Sequence, residues 1–375
     1  MNQDTAHITA GFIPLLDAAP LIVAREKGFA VREGIELDLV RETSWASIRD
    51  RVVIGHFDAA HMLAPMAIAG TLALPPMPIP FIAPIALGTG RNGITVSNSL
   101  WEMHAEEGLT GPTDAAAAAR SLAAVKKLHV PNRPLVFAAV HTYSAHAYLL
   151  RYWLAEAGLY EGTDVRFEFV PPPFMSDALA SGAIDGCCVG EPWNTAAVAD
   201  GHGHVLTTGD SIWAGGPDKV LGMRADWATD NPDRVKRLVR ALYAASIWAD
   251  EPAHTDELAA ILAEPAYLDT TTDRLKPGLS GEMSGTRSGF AGYAASIPHH
   301  AHAAWFAAQM ARWGEVDLSS DMIDAASSTY KPDIYAEAIA PIADDSLALE
   351  PSAQCRLFDG RDFDSSDVEG YLSSF

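Results

Sequence analysis

At 375 residues the chain is long enough for two lobes, each with its own core, since single cores stop growing at roughly 250–300 residues. Hydrophobic residues make up 49% and charged residues 20%, a balance too apolar for a disordered chain. With 48 acidic against 26 basic residues the formal net charge is −22, which argues against a nucleic-acid or anionic-membrane surface, because both need a basic footprint. A small anionic ligand stays possible: the Debye length at physiological salt is about 8 Å, so local residues decide binding inside a cleft.

The stretch HITAGFIP reads as a strand, followed by a helix from about Asp17 through Lys27 that stops at Gly28, a residue suited to the left-handed turn after a helix. IELDLV alternates apolar and polar as a second strand. Thr43 or Ser44 is placed to cap a helix through WASIRDRVVIG, and FDAAHML reads as a third strand. After the turn LPPMPIP come the apolar run FIAPIALG and the strand NGITVS. The segment from Ser97 to Lys127 is predicted helical with a break at GLTGPT. A new unit follows: LVFAAV as strand, SAHAYLLRYWLAEAG as helix, VRFEFV as strand, MSDALASGAI as helix and CCVG as strand. KVLGMR reads as a return to the first lobe, and Pro232 opens a long helix behind Asn231 or Asp230. Alternating strand and helix predicts an α/β fold with largely parallel sheets. No Gly/Ser or Pro tract separates two beads, so the expected organisation is residues 1–95 as the first part of lobe 1, 96–210 as lobe 2, and 211–375 as the return to lobe 1 with C-terminal helices.

The three cysteines, Cys187, Cys188 and Cys355, are an odd and sparse set, which predicts reduced thiols rather than a disulfide framework. No run of 18 apolar residues suggests a membrane span. The first ten residues lack a basic n-region, an apolar h-region and a cleavage site, so the chain is expected to be cytoplasmic, the alternative being a mature exported protein.

PLIVAREKGFAVREGIELDLV resembles the entry segment of the type II periplasmic-binding-protein superfamily. SWASIRDRVVIGHFDAAHMLAPM, VPPPFMSDALASGAIDGCCVGEPWN, PDKVLGMRADW and the terminal FDGRDFD are similar to its nitrate/bicarbonate branch, over nearly the whole chain. The resemblance implies a two-lobed α/β fold with a ligand cleft between the lobes and no catalytic activity, cofactor or metal. Combined with the missing export signal, it resembles the cytoplasmic nitrate/nitrite sensors that hold a regulatory partner, an RNA-binding antiterminator, until the anion arrives. Alternatives are a solute-binding protein of an ABC transporter, for nitrate, bicarbonate or a sulfonate, and an enzyme of thiamine-pyrimidine synthesis that shares the fold.

A nitrate site needs a flat wall, several donors and one compensating charge. The resemblance assigns the ligand contacts to Trp45, Asn92, His146 and Lys219. Trp45, at the start of a predicted helix, offers an indole wall and an N–H donor, its alternative being a buried anchor. Asn92 stands where relatives carry a longer glutamine amide, and reads equally as a turn residue. His146 matches the branch's ligand histidine, with His141 and Ser144 as competitors for the contact. Lys219, behind glycines and a proline, is expected to present its ammonium to the cleft, and it favours nitrate or nitrite over bicarbonate, whose relatives place an acidic residue and calcium there. His299, His300 and His302 do not share one helix face and are expected to be solvated. Asp359, Asp362 and Asp364 lack a calcium-loop spacing and read as capped turns. Glu191 has no catalytic partner in sequence and reads as a hinge or lobe-interface residue.

Overall fold

In the computed structural model, which describes residues 5–76, 79–281, 289–291, 295–342 and 355–375, the chain builds two five-stranded sheets. The first begins with β1 (Ala6–Phe12), β2 (Ile35–Arg41), β3 (Ala59–Leu63) and the short β4 (Phe81–Ile82). The chain then forms the whole second sheet, from β5 (Asn92–Ser97), β6 (Leu135–Ala139), β7 (Val165–Phe169), β8 (Gly186–Gly190) and β9 (Gly203–Thr208), and returns to the first with β10 (Lys219–Arg224). The expected boundary at residue 95 falls inside β5. Of the turn LPPMPIP, Met77 and Pro78 lie outside the described residues.

Strand order is β2-β1-β3-β10-β4 in one sheet and β7-β6-β8-β5-β9 in the other. β1 runs parallel to β2 and β3, and β6 parallel to β7 and β8, each through a helical crossover. The strand that arrives from the other lobe enters in the opposite direction. Thus β10 is antiparallel to β3 and β4, and β5 is antiparallel to β8 and β9. The sheets are therefore mixed rather than largely parallel. Each crossing segment supplies its neighbour's antiparallel strand, which alternation alone does not encode.

The helix Ala19–Glu26 ends before Gly28, whose φ of 70° is left-handed and costs glycine nothing. The helix Trp45–Val53 is capped by Ser44, whose Oγ accepts the Ala46 N–H at 3.2 Å. Of FIAPIALG only Phe81–Ile82 pairs as a strand; Ala83 and Ala86 make isolated bridges to Tyr330 and Val220. One core lies between the outer face of the first sheet and the long helix Pro232–Asp250, with Leu238, Leu242 and Ala245 against Leu21 and Ile22. A second, continuous core runs through both lobes, joining Trp45, Met62 and Trp305 to Val189, Tyr148 and Trp213.

The lobes meet at the strand crossings. Leu16 N–H donates to the Glu191 carbonyl at 2.9 Å, and Trp193 Nε1–H donates to the Pro14 carbonyl at 3.0 Å. Glu191 therefore sits at the lobe junction, its carboxylate accepting the Thr195 hydroxyl at 2.7 Å. The acidic tail closes over lobe 2: Asp359 accepts the Tyr152 hydroxyl at 2.6 Å, and Asp364 caps a turn by accepting the Ser366 N–H at 2.8 Å. His302 departs from its expectation. It is buried edge-on against Trp213, 5.5 Å between ring centroids, because the helix His300–Arg312 turns that face into the shared core.

The Ser44 cap also sets the entry angle of Trp45. Ser44→Ala is expected to lower unfolding stability by about 1 kcal/mol, read as a reduced urea midpoint with unchanged slope.

Candidate functional site

In both sheets the parallel strands point the same way, and their carboxyl ends face the junction between lobes, the usual place for a ligand crevice in α/β sheets. β1 runs into the 3-10 turn Leu16–Ala18, which carries Asp17. β2 leads to Trp45, and β3 itself holds His61. From the other lobe β6 leads to the helix Ala145–Glu156 with His146, and β8 ends at Gly190. The two antiparallel strands begin at the same edge, so their first residues, Asn92 and Lys219, complete the ring.

All four residues assigned from the sequence come together here, and all are buried. Trp45 packs its ring 5.3 Å from that of His61, with Lys219 Nζ 5.7 Å from the indole centroid. His146 Nε2 lies 3.6 Å from Asp218 Oδ2. Asn92 is paired with Gly190 in the β5–β8 ladder and is a strand residue rather than a turn residue. The missing side chain of Gly190 is where Asn92 and His146 converge: a Cβ there would lie 3.5 Å from Asn92 Oδ1 and 3.7 Å from His146 Nε2. Ser144 is spent as the cap of the His146 helix, accepting the Ala147 N–H at 3.1 Å. His141 lines an outer cavity of about 240 Å³ with Ser44, Trp45, Thr142 and Phe169.

Lys219 corrects its expectation. Its ammonium is not presented bare to the cleft but is held by two carboxylates, donating to Asp17 Oδ2 at 3.0 Å and to Asp218. A lysine with no exposed surface requires such partners, since an unpaired buried charge is not tolerated. Burial alone would lower its proton affinity; Asp17 and Asp218 outweigh that and hold the ammonium charged. Asp17 also faces His61 Nε2, 2.9 Å from its Oδ1. Burial pushes the Asp17 carboxyl up, and Lys219 with His61 overcomes this and holds it well below the usual carboxylate range. His146 behaves oppositely. Burial outweighs the nearby Asp218 and Asp17 carboxylates and pushes its imidazole down to about 4, so it stands neutral at pH 7.

The sequence reading missed Asp17, His61, Asp218 and Gly190. The available signal was the lysine itself: placed in a buried strand, it demands counter-charges, and Asp218 is its neighbour in the chain. Several polar atoms of the cluster have no hydrogen-bond partner within the protein: Trp45 Nε1, Asn92 Oδ1, both ring nitrogens of His146, Asp218 Oδ1 and the Tyr330 hydroxyl. Buried polar groups are paired as a rule, so this concentration marks the place where a polar ligand belongs. Among the described residues no group of His, Cys, Asp and Glu is arranged to hold a metal ion, and no helix is long and apolar enough to cross a membrane.

The buried imidazoles set a pH dependence. His146 and His302 are pushed from 6.5 to about 4 and about 3, so the unfolded chain binds protons that the folded one refuses. Stability is then complete above pH 6.5 and falls as the pH drops below it, by about 2 kcal/mol per histidine at pH 5. Asp17, depressed in the folded state, adds its own loss only below its unfolded value near 3.8. Urea melts between pH 7.5 and 4.5 should show this decline, and His302→Gln should flatten it.

Comparison with known proteins agrees with this architecture. Residues 2–263 match the model of the NMT1-like family. The chain is 34% identical over 381 residues to the nitrate import ATP-binding protein NrtC of Synechocystis, covering 98% of this chain but 55% of that protein, so it spans about half the length of that relative. It is 34% identical over 390 residues to the nitrate/nitrite binding protein NrtA of Synechococcus elongatus, covering 97% of this chain and 85% of that one. The crystal structure of the periplasmic nitrate-binding protein NrtA from Synechocystis PCC 6803 superposes with a TM-score of 0.89 at 28% identity, over 99% of this chain and 98% of the other. Two mixed sheets exchanging their antiparallel strands around a buried polar site, together with these matches, place the chain in the NMT1-like family as an NrtA-like member with the periplasmic-binding-protein fold.

Proposed function

We propose that this protein is a receptor for nitrate or nitrite, held where Trp45, Asn92, His146 and Lys219 meet. The observation that carries the reading is the set of unpartnered polar atoms gathered around one buried ammonium. A planar monovalent anion lies at the edge of the indole ring, accepts from Trp45 Nε1–H and His146, and takes the remaining N–H of Lys219, whose other two are directed to Asp17 and Asp218. Three or four charge-assisted bonds of about 1.5–3 kcal/mol each supply the roughly 8 kcal/mol of micromolar binding. The likeness to nitrate-binding NrtA supports this ligand class.

The finer proposal is a cytoplasmic sensor. Ligand stabilises the closed arrangement of the lobes, and the closed form releases a regulatory protein of the antiterminator type; the receptor itself touches neither nucleic acid nor membrane. The buried free thiols of Cys187 and Cys188 suit a reducing compartment. They also speak against an enzyme with a cysteine nucleophile, since burial pushes the Cys187 thiol up to about 12 and raises the Cys188 thiol well above its ordinary value. A second reading, the solute-binding part of an ABC importer, is favoured by the match to NrtC. The two differ in what closure controls. A sensor must show reciprocity: partner binding changes anion affinity by the same factor as the anion changes partner affinity.

Isothermal titration is expected to give micromolar binding of nitrate or nitrite. Trp45→Phe keeps the wall but removes the donor, and should weaken binding roughly 10- to 100-fold. Gly190→Ala places a methyl 3.3 Å from Leu15 and between Asn92 and His146, and should abolish detectable binding while leaving the melting temperature within a few degrees of the parent. Heat only from bicarbonate or taurine, with silence toward nitrate and nitrite, would overturn the assignment.

A further inference from the structure

The site is short of positive charge and of donors for a bare anion. One cation, Lys219, stands against two carboxylates, Asp17 and Asp218, so the cluster carries a net charge of −1 when its histidines are neutral. Nitrate or nitrite would raise that to −2 inside a desolvated site. It would also bring only acceptors to a place where Asp218 Oδ1 and Asn92 Oδ1 already lack a donor.

We propose that the anion enters this site together with one proton, taken from solvent onto His146, so that the ligand is in effect a monovalent oxyanion plus H⁺. The inference rests on the anion-receptor reading and deepens it. Two imidazoles are candidates for the proton, and their surroundings separate them. His61 Nδ1 already accepts the Ile13 N–H at 3.4 Å, with its Nε2 2.9 Å from Asp17 Oδ1, so an added proton on Nδ1 would break the backbone contact. His146 has neither nitrogen paired within the protein, and its Nε2 faces a carboxylate oxygen at 3.6 Å. A neutral imidazole offers one N–H; an imidazolium offers two, one toward Asp218 and one toward the anion.

The charged and titratable groups facing His146 are Asp218, Lys219 and Asp17, each from the first sheet and its turns. Cys188 and Tyr330 stand beside Asp218, and burial keeps both protonated. Lys219 is held charged by its carboxylates and Asp17 is held ionised by Lys219, so neither takes the proton in place of the histidine. With the free imidazole near 4, binding is coupled to its protonation wherever the complex stays protonated. Dianions such as sulfate carry an extra charge that one proton does not balance, and are excluded.

The test is titration of nitrate into the intact protein at pH 7.5 in buffers of differing ionisation enthalpy, where the slope of observed heat against buffer enthalpy counts protons. A slope near one proton taken up, with Kd rising about tenfold per pH unit between pH 6 and 8, is the expected result. His146→Gln should bind nitrate more weakly with zero proton uptake and a flat pH profile, whereas His61→Gln should retain uptake near one. Nitrate binding with zero slope overturns the coupling and leaves the anion site standing. Uptake lost in His61→Gln and kept in His146→Gln overturns the seat of the proton. Bicarbonate, which carries its own O–H donor, binding more tightly than nitrate and without proton uptake overturns the proposed ligand; absence of binding by every anion overturns both readings together.

Discussion

A lysine ammonium sealed from water between two carboxylates organises this protein. Lys219 is fully buried between Asp17 and Asp218, and the histidines beside them, His61 against Asp17 and His146 against Asp218, complete the cluster from the same two sheets. Buried ion pairs contribute little net stability against an apolar alternative, but breaking one by removing a partner costs several kcal/mol. The cluster is therefore better understood as a device that fixes geometry than as glue. It ties the turn after the first strand to the strand that returns from the second lobe, across 202 residues of sequence.

That connection matters because the two sheets exchange strands. β5 and β10 each leave one lobe and finish the other, and both begin at the edge where the parallel strands end. A polar residue at the start of either strand lands in the junction as a consequence of the topology. Asn92 and Lys219 occupy these two positions, and Trp45 and His146 each open a helix at that edge behind a capping serine. The serines satisfy the first helical N–H groups, and the ring nitrogens of Trp45 and His146 meet no protein partner. Glu191 and Trp193, bonded to the backbone of Leu16 and Pro14, close the back of the same junction.

Much of this is local chemistry and was legible. Strand alternation in IELDLV, the glycine stop at Gly28, the Ser44 cap and the proline start of the long helix all arise from neighbours within one turn. Trp45, Asn92, His146 and Lys219 were found through likeness of short motifs, and the geometry brings them into one place. What local pattern misjudged was environment. Asn92 read equally as turn and ligand residue because its pairing with Gly190 lies almost a hundred residues away. His302 read as solvated because helical spacing says which face a residue shares but not what covers that face.

The amino-acid sequence by itself determined the alternation of strands and helices, the helix ends and the acidic balance, since propensity, capping and charge act over a few residues. Only the tertiary structure decided that the sheets are mixed, that the lysine is held by Asp17 and Asp218, and that the Nδ1 of His61 meets a backbone N–H while that of His146 meets no protein partner. These are questions of which distant groups share a buried, weakly screened space, and there an ionisable side chain takes its charge and its partners from the fold around it.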